Sequence, residues 1–68
     1  MEQTQERLAD RLIRHFGGRE KAAEALGVVG ETLRLWKRDG IPLARAVEIE
    51  KRSGGIVTAS EVLKEAQG

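Results

Sequence analysis

The chain has 68 residues, 40% of them apolar and 34% charged, which gives room for a single domain with one small core and excludes a two-domain enzyme. It has no Cys and a single His, which excludes disulfides, thiolate chemistry and a zinc site, so no metal or cofactor is expected. The net charge of +1 selects no partner class by itself, and no apolar run approaches the ~18 residues of a membrane-spanning helix.

Without a secretory apolar segment after Met1, a soluble chain in a reducing cytoplasm is expected. Gly and Pro punctuate the sequence, and between them apolar residues recur at helical spacing. A first helix is predicted from about Thr4 to Phe16, with Leu8, Leu12 and Phe16 in one row, Ala9 and Ile13 beside them, and Gly17-Gly18 as its stop. His15, next to Phe16, reads as a partner of the helix C-terminal dipole or as a packing residue. The second helix, about 19–26, presents Ala22, Ala23 and Leu26 and ends at Gly27.

The third helix, about 30–38, carries Leu33 and Trp36 on one face and is closed by Asp39-Gly40. The fourth is predicted to begin at Ile41-Pro42, with Pro in the first turn, where its missing N–H costs nothing. Its expected inner stripe is Leu43, Ala46, Val47 and the stem of Glu50, and Gly54-Gly55 terminates it. Thr58-Ala59-Ser60-Glu61 fits a capping box opening a fifth helix with apolar positions Val62, Leu63 and Ala66. Gly55-Ile56-Val57 is the only β-like stretch and is too short to make a sheet alone. The expected class is all-α, five short helices, with a short Ile56-Val57 strand paired to another subunit as the alternative.

The segment 28–52 holds six basic and four acidic residues, and Arg34, Lys37 and Arg38 are crowded together without an intervening acid. Such a patch attracts phosphates even on a nearly neutral chain, although a solvated helix face has the same composition. Arg19 to Trp36, REKAAEALGVVGETLRLW, is the informative stretch. A helix-turn-helix needs a small residue inside its first helix where the second crosses, and Ala23 supplies it. It needs a residue tolerant of positive φ four positions later, which is Gly27. Leu26 and Val28 at the turn, then Leu33 and Trp36 six and nine residues after Gly27, pin the second helix.

This pattern resembles the helix-turn-helix of the phage Cro and repressor family. Upstream, Arg14-His15-Phe16-Gly17-Gly18 looks like the end of helix one in the all-helical Cro proteins. Downstream, Trp36-Lys37, Ile41-Pro42, Ile49-Glu50 and Ser53-Gly54-Gly55-Ile56-Val57-Thr58 are similar to the same Cro proteins and to the related YdaS-like antitoxins. The resemblance covers about residues 8–63. It implies a lambda-repressor-like arrangement and a small bacterial or phage transcriptional repressor whose third helix enters the major groove of a double-stranded DNA operator.

Val29, Gly30, Glu31, Arg34 and Leu35 match the family's base-facing positions. Arg34 can fork onto guanine O6 and N7, Glu31 can accept from cytosine N4, and Val29 or Leu35 can touch a thymine methyl. Phosphate contacts are expected from Arg19 and Lys21 at the start of helix two and from Lys37, Arg38 and Arg45 near the far end of helix three. The departure from the family lies at Val29-Gly30, where a polar cap is usual: either Gly30 takes that place or a backbone donor is left for water or phosphate. Glu31 has a second reading, as a partner of the helix N-terminal dipole. The resemblance also implies a homodimer on two half-sites, with Ile56, Val57 and Leu63 as a small candidate surface. The competing function is an antitoxin-like or other protein-interaction module of the same fold, suggested by the apolar Val29, Gly30 and Leu35. An enzyme lacks support, because Glu20 and Glu24 have no nucleophile or second acid nearby. No membrane or small-molecule partner is expected.

Overall fold

The computed structural model describes residues 6–67, in which five α-helices and one 3-10 turn follow one another: α1 (Leu8–Phe16), α2 (Arg19–Leu26), α3 (Gly30–Asp39), the turn Leu43–Arg45, α4 (Ala46–Arg52) and α5 (Ala59–Gln67). The all-α expectation holds, and no strand forms at Ile56-Val57 or elsewhere among the described residues. Helices α1 and α2 end on the same device. Gly17 and Gly27 take left-handed backbone (φ +89° and +73°), and the residues after them donate back across the last turn, Gly18 N–H to Ile13 O and Val28 N–H to Ala23 O, each at 2.9 Å. These bonds satisfy carbonyls that a helix end otherwise leaves open.

The start of α1 differs from the sequence expectation. Thr4 lies outside the described residues, but Arg7 is extended (φ −63°, ψ 150°) and the helix begins at Leu8. The cause is distant in sequence: the Glu65 carboxylate on α5 accepts the Leu8 N–H at 2.9 Å and the Ile41 N–H at 3.4 Å. One side chain therefore caps α1 and fastens the loop after α3.

The fourth helix is also displaced. Pro42 is extended (φ −62°, ψ 142°) and stands before the 3-10 turn, not inside a helix. Ile41 is buried, and its burial together with the Glu65 bond holds this crossing extended. Because the α-helix starts only at Ala46, its phase turns: Ala46, Ile49 and the following Ser53 face the core, whereas Leu43 and Val47, expected inside, are exposed. On α5 the capping box forms as expected, Glu61 N–H donating to Thr58 Oγ1 and Thr58 N–H to Glu61 Oε1, each at 3.1 Å. Leu63 and Ala66, expected inside, are exposed. The inward positions go instead to Val62 and to two working carboxylates, Glu65 and Glu61. Glu61 takes an Arg11 Nη1 at 2.9 Å, and that guanidinium, with the Thr58 N–H, holds its carboxyl below the ordinary glutamate range.

The core is one cluster fed by every helix, with Leu12, Leu26, Leu33, Ile49, Val57 and Val62 fully buried. Val57 therefore leaves the surface expected to pair two subunits, where Ile56 is half-buried and Leu63 remains open. Trp36 is 5% exposed and packs with Leu33 against α1 and α2. Removing it opens a cavity as large as an indole: Trp36→Ala is expected to cost about 3–5 kcal/mol, comparable to the whole stability of so short a chain. Thermal unfolding followed by circular dichroism checks this, and a variant that keeps a cooperative transition near the parent temperature would contradict it.

Candidate nucleic-acid interface

The α2–turn–α3 unit is set by small residues. Ala22 and Ala23 are buried, so α2 is slim over its middle turn, where α3 can pack closely, and Leu26 at its end fills the core. Gly27 is set by its backbone and crowded by one movable side chain. Its φ of +73° suits a residue without a Cβ, and a Cβ there would stand 3.1 Å from Arg52 Nη1 and 3.2 Å from Cζ. The guanidinium of α4 lies over the turn that joins α2 to α3.

Val29 occupies the cap position of α3 in extended backbone (φ −91°, ψ 159°) and makes no side-chain cap. Its carbonyl accepts from Thr32 N–H at 3.0 Å and Leu33 N–H at 3.4 Å, while its side chain is 66% exposed. Gly30 starts the helix. It shares the row of Leu33 and Trp36 and is half-buried, so it is less outward than its sequence placement suggests. Arg19 reaches across from α2: its Nε would lie 3.7 Å from a Cβ at Gly30.

With Leu33 and Trp36 buried, the residues at i, i+3, i+4 and i+7 from Glu31 form the opposite face: Glu31, Arg34, Leu35 and Arg38. Leu35 is half-buried and the other three are exposed. Arg34 donates from Nε to Glu31 Oε1 at 3.1 Å and from Nη2 to Glu31 Oε2 at 2.5 Å. This fork lowers the Glu31 carboxyl from its usual range and raises Arg34, with Arg19 and Arg38 adding to the effect on Glu31. Arg38 forks onto Asp39, both bonds at 3.1 Å, which raises the one and lowers the other.

The other expected cations lie elsewhere. Lys37 points back to α1, where its Nζ is 3.6 Å from Asp10. Lys21 runs beside Gly17 at the α1–α2 junction. Arg45 lies over the Trp36 ring, 6.0 Å from its centroid, and is paired with Glu48, which also holds Arg52 at 3.1 Å. Arg19, Glu31, Arg34 and Arg38 thus come together on one face, with Gly30 at its inner border, while Lys21, Lys37 and Arg45 border other elements.

A helix-turn-helix with this packed inner face and charged outer face agrees with the family comparison, in which the model described as DNA-binding transcriptional regulator Cro matches residues 9–67. The chain belongs to the Cro family of DNA-binding transcriptional regulators. No curated protein and no solved structure matches it. The Cro match takes in all five helices, and the family is one of regulators rather than enzymes. No described group of His, Asp and Glu could hold a metal ion, and no described helix is long and apolar enough to cross a membrane.

Two side chains that brace the helix-turn-helix of this Cro-family chain escaped sequence reasoning. Arg52 carries no expected contact with the α2–α3 turn, although the Arg45-Glu48-Arg52 spacing of three and four residues is itself the signal of a ladder along α4. Arg7, whose Nη2 donates to the Arg38 carbonyl at 3.2 Å and so closes the end of α3, gave no local signal. Gly27→Ala is expected to destabilise the fold by about 1–2 kcal/mol from left-handed strain alone, with a further part that the Arg52→Ala background recovers. Denaturant unfolding of the single and double variants checks this; an equal loss in both backgrounds would assign the whole cost to the backbone.

Proposed function

We propose that this Cro-family chain acts as a single DNA-binding domain, a sequence-specific repressor that lays the outer face of α3 in the major groove of a double-stranded operator. The observation that carries this reading is the Glu31-Arg34-Leu35-Arg38 face, held outward by the burial of Leu33 and Trp36 on the opposite side. A helix presented this way meets base edges with its outward residues and phosphates with its flanks. Arg34 reads guanine, Val29 and Leu35 offer apolar contact to thymine methyls, and Gly30 lets the backbone approach. Arg19 beside the start of α3 and Arg38 at its far end take phosphates, with Lys21, Lys37 and Arg45 as peripheral cations.

Exposed ion pairs are weak. A phosphate can therefore draw Arg38 from Asp39, and that pair does not oppose docking strongly. One helix in one groove covers few base pairs, which supports a homodimer on two half-sites. Leu43, Val47 and Leu63, the large apolar side chains exposed away from α3, are candidates for its contact. Repression by occupying an operator places the chain with the genome in the cytoplasm.

A second reading, an antitoxin-like protein-interaction module, draws on Val29 exposed at the tip of α3 and on Arg34 already engaged by Glu31. Binding measured against salt separates the two. Selection from a random pool should yield a preferred duplex; Arg34→Ala should lose roughly tenfold or more on it and relax one base position. Arg38→Ala should weaken selected and random duplexes alike and reduce the salt slope by about one. The absence of any mobility shift at low salt would favour the interaction module.

A further inference from the structure

We propose that Glu31 is a specificity-determining positioning residue: it holds one edge of the Arg34 guanidinium so that only the other edge is offered to DNA. This rests on the reading of Arg34 as a base reader. The Glu31 oxygens take the side edge of the guanidinium, Nε at 3.1 Å and Nη2 at 2.5 Å. What remains is the end edge, both Nη1 hydrogens and the second Nη2 hydrogen, which is itself a planar two-donor fork. Rotation of α3 is fixed by the buried Leu33 and Trp36, and Glu31 sits one turn before Arg34, so the pair lies on the exposed face, its side chains 52% and 61% open for Arg34 and Glu31.

The consequence is electrostatic. Arg34 alone carries a full charge and would bind a phosphate of any sequence. Joined to Glu31 it forms a unit without net charge, and the carboxylate beside it repels a phosphate. Guanine O6 and N7 are neutral acceptors and meet no such repulsion. Glu31 therefore lowers binding to the DNA backbone while leaving the guanine contact in place, which separates the work of Arg34 from that of Arg19 and Arg38. A carboxylate on a DNA-binding face, otherwise a liability, becomes a filter against indiscriminate binding.

The test uses the full chain, the duplex it selects from a random pool, and a random duplex. Glu31→Ala and Glu31→Gln should bind the random duplex more tightly, with a salt slope steeper by about one. Their ratio of selected to random affinity should fall at least about fivefold. In the Arg34→Ala background Glu31→Ala should leave that ratio unchanged, because its effect on selectivity runs through Arg34. Thermal unfolding of each variant confirms that the fold is retained, and a role confined to the helix dipole would move the melting temperature without moving the ratio. An unchanged ratio in Glu31→Ala while Arg34→Ala lowers it would overturn the proposal and keep Arg34 as a reader. A fall of the same size with and without Arg34 would also overturn it, since Glu31 would then read a base itself. If Arg34→Ala leaves the ratio untouched, the reading of Arg34 fails and this inference with it.

Discussion

The burial of Leu33 and Trp36 on one side of α3 is the constraint on which the rest depends. A ten-residue helix has little stability of its own and acquires a fixed rotation only from the face that it buries. Two large side chains three residues apart define that face. The charged residues at their backs are then committed to solvent: Glu31, Arg34 and Arg38 are exposed because Leu33 and Trp36 are not. The proposed reading of DNA follows from this division of one short helix.

A chain of this size has little apolar area to bury, and a set of carboxylates adds order between its helices. Glu65 joins α5 to the start of α1 and to Ile41; Glu61 joins α5 to Arg11; Glu50 accepts the Ala59 N–H at 2.9 Å and joins α4 to α5. Among the described residues no buried side-chain polar atom lacks a partner. On α4 Glu48 does similar work, binding Arg45 over Trp36 and Arg52 over the Gly27 turn. The helix-turn-helix is thereby braced from behind by α4, at its turn and at its Trp anchor.

What was legible in the sequence was what short range determines. The bounds of α2 and α3, the positive φ of Gly27, the inward Trp36 and the Thr58-Glu61 capping box all follow from spacings of a few residues. The start of α1 and the phase of α4 were not legible, because both answer to Glu65, which is 57 positions from Leu8 and 24 from Ile41. A helix-forming pattern around Pro42 does not reveal that the chain is held extended there. For the same reason Leu43, Val47, Leu63 and Ala66 seemed to be core positions by periodicity alone, when carboxylates and a 3-10 turn had taken the inward places. On the candidate site the residues were legible but their pairing was not: Glu31 with Arg34 is a local pair, whereas Lys37 with Asp10 joins two helices and separates Lys37 from Arg38.

On the proposed reading α3 is the surface that meets DNA, and the apolar side chains of the 3-10 turn, α4 and α5 form a separate one. Backbone amide shifts mapped by NMR during titration with a selected duplex test that division directly. The largest changes are expected at Val29, Gly30, Glu31, Arg34, Leu35 and Arg38, with Arg19 following and with α5 affected only through subunit pairing. Changes centred on Leu43, Val47 and Leu63 with α3 unmoved would contradict it.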